Sequence, residues 1–135
     1  DRVCGKAMDD RMGVAILLVL LLLAPAIRAD EVLVATDWID SDEMTQLLAK
    51  MNKNNLFPCL VVGSIEAEKI MYKASYCAFL PDMRYFYSRW GMTDAEHQRY
   101  SEFYLEKKMQ PHFHTTFTDD KGSTRHQVTW ILRKD

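Results

Sequence analysis

Three histidines lie close together late in the chain: His112, His114 and His126. In a strand, residues two apart point to the same face, so His112 and His114 fall together. If the next turn centres near residue 121, His126 lies diagonally across from His114. Three imidazoles on one sheet face are a donor set for zinc or a similar ion. The plainer reading is packing or surface histidines, so no metal or cofactor is assigned and the three stand as candidates only. Cys59 and Cys77 are a second pair. They face each other if the chain turns about residue 68. Opposed strand residues sit about 4.5–5.5 Å apart at Cα, within disulfide range, and an oxidising compartment would close the bond. Two buried free thiols are the alternative, and no local signature supports a nucleophilic cysteine.

Catalytic motifs are missing. No Ser-x-x-Lys, Gly-x-Ser-x-Gly, His-Glu-x-x-His, Cys-x-x-Cys or phosphate-binding glycine loop occurs. The carboxylates Asp40, Asp42 and Glu43 suit a helix start, where the dipole favours negative charge. Tyr85, Phe86, Tyr87, Trp90, Tyr100, Phe103 and Tyr104 form an aromatic concentration. It fits a core between strand and helix, or a platform for a peptide or carbohydrate. The expected activity is therefore binding, with no catalytic residue in this chain.

The elements that must hold these residues come in two similar runs, displaced by 53 positions (58 to 111, 43 to 96). Asp40-x-x-Glu43 and Thr93-x-x-Glu96 both have capping-box form, in which the first side chain accepts from an amide of the first turn and the Glu reaches back. Ile39 and Met92 precede them as apolar staple residues. Met44, Leu47, Leu48 and Met51 then follow helical spacing, as do His97, Tyr100, Phe103 and Tyr104. Each helix is predicted to end before its proline, Pro58 or Pro111. After the prolines come strand patterns, Cys59 to Val62 and His112 to Phe117. Turn residues follow, Glu66 to Lys69 and Asp119 to Gly122, then returning strands, Tyr72 to Phe79 and Arg125 to Leu132. Glu31 to Trp38 and Tyr85 to Tyr87 add a leading strand to each run. The fold expected is α+β: tandem strand-helix-β-hairpin repeats at 31–82 and 84–135, linked through Leu80-Pro81-Asp82-Met83.

The second run resembles the bacterial tandem repeat domain type 1, the repeat found in the N-terminal regions of polyglycine hydrolases and related β-lactamase-type serine hydrolases. Gly91, Met92 and Thr93 match its helix start, with Glu96 completing the cap. Pro111 matches its helix exit, and Gly122, Arg125 and Trp130 its returning strand. Lys108 stands in place of the family's helix-ending glycine and His126 in place of its Tyr. The first run matches in pattern only, with Tyr72 and Cys77 at the places of Arg125 and Trp130. The resemblance implies a non-catalytic array whose partner is a protein or peptide, or an attached hydrolase domain. It leaves open that this chain is the N-terminal part of such a hydrolase, with the nucleophile beyond residue 135.

Seventeen Lys and Arg against 19 Asp and Glu leave a net charge of −2. Nothing basic gathers on one element, which argues against nucleic acid or an anionic membrane as partner. Val14 to Leu23 is unbroken apolar, followed by small residues at Ala24, Ala26 and Ala29. Residues 12–29 therefore read as a secretory signal, too short for the roughly 20 residues of a stable membrane span. Residues 1–11 read as upstream or fragment sequence, and the mature chain is expected outside the cell. Two units are few for a solenoid, which generally needs about three. The protein is thus expected to continue or to assemble with copies of itself.

Overall fold

A computed structural model describes residues 31–135. The segments 1–11 and 12–29 lie outside the described residues. The order is β1 (Val32–Ala35), α1 (Ser41–Lys53), β2 (Leu56–Glu66), β3 (Lys69–Ala78), β4 (Met83–Met92), α2 (Asp94–Glu106), β5 (Gln110–Thr118) and β6 (Thr124–Arg133). Two three-stranded antiparallel sheets result, β1-β3-β2 and β4-β6-β5, so the returning strand is central in each. The α+β class is as expected.

Both helices begin where the capping boxes place them. The Asp40 side chain accepts from Glu43 N (2.9 Å) and Glu43 accepts from Asp40 N (3.1 Å). Thr93 and Glu96 do the same at 3.2 and 2.9 Å. Both helices leave through a left-handed residue, Asn55 (φ 60°) and Lys108 (φ 65°). Asn accepts that conformation more readily than Lys, which is why Lys108 looked out of place in the sequence. On α1 Met44 and Met51 are buried and Leu47 and Leu48 pack beside them. On α2 Tyr104 is buried, whereas Phe103 is 47% exposed and lies off the core face.

The prolines mark the strands differently from expectation. Pro58 and Pro111 lie inside β2 and β5, paired with Tyr76 and Trp130. Both strands are sheet edges, where a missing N–H costs no ladder bond. One residue beyond each proline the ladder is interrupted, between Pro58 and Leu60 and between Pro111 and Phe113. Cys59 and His112 are thus bulge residues. Cys77 pairs with Phe57, so the Cys59–Cys77 disulfide runs diagonally rather than straight across, with Cα atoms 5.7 Å apart.

The pairing also corrects the alignment of the two runs. Gly63 pairs with Tyr72 and Thr116 with His126; Leu60 pairs with Ser75 and Phe113 with Thr129. The outgoing strands correspond at 53 positions (63 to 116), the returning strands at 54 (72 to 126). Tyr72 therefore corresponds to His126, Tyr76 to Trp130 and Cys77 to Ile131, not Tyr72 to Arg125 and Cys77 to Trp130. The extra residue sits in the turns. The first is the two-residue turn Ala67-Glu68, both left-handed. The second runs from Asp119 to Ser123, with Gly122 at φ 79°.

β2 lies across the face of the second sheet. Thr129 Oγ1 donates to Pro58 O (2.9 Å) and Thr115 Oγ1 to Val61 O. Gly63 passes directly over Phe117, and a Cβ there would run into that ring. β6 is consequently buried on both faces from His126 to Ile131. Val128 and Trp130 pack with Tyr104 and Met109, while Thr129 meets β2 and Ile131 joins Phe57 and Cys77.

Candidate functional site

The start of α2 and the second hairpin converge on one cluster. The capping box fixes the first turn of α2, placing Asp94 and His97 above the sheet. The hairpin tip is tied to the same point. Arg125 Nε donates to Asp119 Oδ2 (2.9 Å) and its Nη1 to Gly91 O (3.0 Å). Asp119 also accepts from the amides of Lys121 and Ser123. Arg125 first, then these amides, hold the Asp119 carboxyl below its usual range. Gly91 is required here, since its φ is 67° and a Cβ would collide with the Tyr72 hydroxyl. The motif residues Gly91, Met92, Thr93, Glu96, Pro111, Gly122, Arg125 and Trp130 are thereby accounted for as parts of the scaffold.

His114 on β5 and His126 on β6 meet diagonally, as their spacing predicted. His114 Nε2 lies 2.8 Å from His126 Nδ1. On its other side His126 Nε2 lies 2.6 Å from Asp94 Oδ1. The third imidazole is His97. Its ring stacks on His126 at 4.3 Å and 5°, and on His114 at 4.3 Å and 27°. One ring nitrogen from each of the three lies within 4.8 Å of the others. His126 is 9% exposed, His97 is half-buried and His114 opens to solvent. Burial first, then the neighbouring imidazoles, push the pKa of His97 and His114 below 6.5. Both shifts favour the neutral imidazole, the form that offers a lone pair. A cavity of about 300 Å³ adjoins them, walled by Leu105, Met109, Val128 and Trp130.

His112 does not belong to this group. Its bulge position breaks the alternation that would have set it beside His114. Its ring instead meets Phe57 edge-on at 5.4 Å, and desolvation, then Arg133, lower its pKa. Sequence reasoning missed His97 because it looked along the strands. The signal was there: His97 is the staple position corresponding to Met44.

The aromatic residues divide between core and surface. Tyr104 lies between Tyr87, on which it stacks (5.3 Å, 23°), and Trp130, which it meets tilted (4.5 Å, 34°), and Arg89 lies over the Tyr100 ring at 3.7 Å. Tyr85 and Tyr87 remain 44% and 48% exposed. They line a groove of about 540 Å³ with Phe79, Phe86 and Leu48 of α1. Among the described residues no helix is long and apolar enough to cross a membrane. Comparison with known protein families, curated proteins and solved structures finds no match for this chain.

Proposed function

We propose that this chain is a secreted, non-catalytic module of two tandem repeats that binds and positions a protein partner. One observation carries the reading: the edge strand β2 seats on the face of the second sheet through Thr115, Thr129 and Phe117. By correspondence, β5 is the strand that would seat on a further face. It is open to solvent along Gln110, Pro111, His112, His114, Thr116 and Thr118. The first sheet carries the matching receiving positions, with Val62, Ser64 and Ser75 in place of Thr115, Phe117 and Thr129, and Leu60 41% exposed. A partner that supplies a sheet face or an edge strand fits both ends. Further repeats, a second copy or an attached hydrolase domain all have that character. Secretion rests on the apolar segment 14–23 and accords with the Cys59–Cys77 disulfide.

The test is capture of the native secreted protein with an antibody to residues 84–135, with a photo-cross-linker at Thr116. Cross-linking to a polypeptide, whether another protein or a second copy, supports the reading. An uncross-linked monomer overturns it. Intact mass decides the alternative: a chain much larger than residues 30–135 and carrying a downstream Ser-x-x-Lys favours the hydrolase fragment.

A further inference from the structure

The two halves differ in chemistry at corresponding positions where each helix packs on its sheet. In the first half, Met44 of α1, Val61 of β2 and Tyr72 of β3 share one apolar cluster, at 0%, 0% and 4% exposure. The register places His97, His114 and His126 at the same three positions in the second half. Three of the four histidines in the chain are thus drawn from three different elements to one point. Packing alone gives little reason for this. Methionine, valine and tyrosine fill the site on the same scaffold, and burying the His126 ring there costs desolvation.

We propose that His97, His114 and His126 form a site for one divalent transition-metal ion of the zinc class. Imidazole suits such ions, and three protein nitrogens leave a fourth position free. Asp94 supplies the outer support. By accepting the His126 Nε2 proton it fixes the tautomer and leaves Nδ1 as the donor atom, a carboxylate–histidine arrangement typical of metal ligands. Zinc–nitrogen bonds of about 2.0–2.1 Å put tetrahedral nitrogens roughly 3.3 Å apart. The His114–His126 pair at 2.8 Å must open slightly, and His97 must turn out of its stack to point its lone pair inward. In the unloaded pair His114 Nε2 donates its proton to His126 Nδ1. Loading moves the His114 proton to Nδ1, through exchange with solvent at this exposed ring. The free coordination position lies beside the 300 Å³ cavity, large enough for water or a small anionic ligand.

The test uses the disulfide-intact full chain and Zn²⁺ alone, by equilibrium dialysis, with Co²⁺ absorption as a probe of tetrahedral geometry. The expected result is one equivalent per chain. His114→Ala, at a solvent-open position on the edge strand, should weaken binding by about 100-fold or more. Asp94→Asn should weaken it about 10–100-fold, the effect usual for a second partner of a ligating histidine. His112→Ala should leave it unchanged. Absence of saturable one-to-one binding overturns the proposal. So does binding that survives His114→Ala, or that falls equally with His112→Ala. Folding of His114→Ala is checked by its unfolding transition, and a second variant, His97→Gln, gives the same reading from the helix side.

Discussion

The first and second halves share caps, bulges and strand order yet differ in what fills them. Where the first half has Met44, Val61 and Tyr72, the second has His97, His114 and His126. At the bulge the first half has Cys59, bonded to Cys77, and the second has His112 against Phe57. The difference teaches that backbone features and side-chain chemistry are separable here. A capping box and a proline-linked bulge fix the path of the chain whatever occupies the pocket. The pocket then decides whether the half is an apolar support or a cluster of donors. The first half is closed covalently, and Met44, Val61 and Tyr72 are buried. The second holds polar rings together on hydrogen bonds and stacking, and its cluster opens to solvent at His114.

The largest break in this comparison is loss of the disulfide. Cys59→Ala with Cys77→Ala should destabilise the protein by about 3 kcal/mol, the chain-entropy value for a loop of this size, read from denaturant unfolding. A negligible change would mean the hairpin is held by its ladder alone. Next comes an exchange of pockets. His97→Met, His114→Val and His126→Tyr together give the second half the first half's lining. Without metal, stability should rise by on the order of 1–2 kcal/mol as apolar groups replace imidazoles. Any zinc-induced rise in Tm should disappear. A loss of stability would show that the second pocket is shaped for imidazole. The smallest effect separates the residues at corresponding central positions, Tyr76 and Trp130. Among the described residues the Tyr76 hydroxyl is buried with no hydrogen-bond partner, and burial pushes its pKa up to about 12. Tyr76→Phe removes that orphan and should stabilise by about 1 kcal/mol, visible as a higher Tm.

Much of the scaffold was legible in the sequence. Capping boxes are local, so Asp40, Glu43, Thr93 and Glu96 announced both helix starts. Strand content followed from β-branched and aromatic residues on either side of turn signals. The bulges were not legible, because an inserted residue leaves no mark on composition and only shifts parity. That one effect misplaced His112 and set Cys59 straight across from Cys77, while the change from 53 to 54 in the returning strands came from the extra residue in the second turn. The turn at Ala67-Glu68 was weakly signalled because neither residue favours the left-handed conformation it adopts. The cluster of three histidines was visible only in part. His114 and His126 share a hairpin, whereas His97 joins them only through the packing of α2 on the sheet, which no spacing within the strands encodes.

The proline and bulge on β5 carry a last consequence, for growth of the protein in two directions. A bare, flat edge strand is a template on which other chains stack into fibrils. Pro111 removes a donor from this edge and the bulge at His112 kinks it. In-plane addition of a strand is therefore discouraged just where the second sheet is most open. Seating on a face, as β2 does, needs carbonyls, hydroxyls and ring contacts but no continuous ladder, so it survives both features. The edge that resists forming a fibre is the one still able to take its place in an ordered stack.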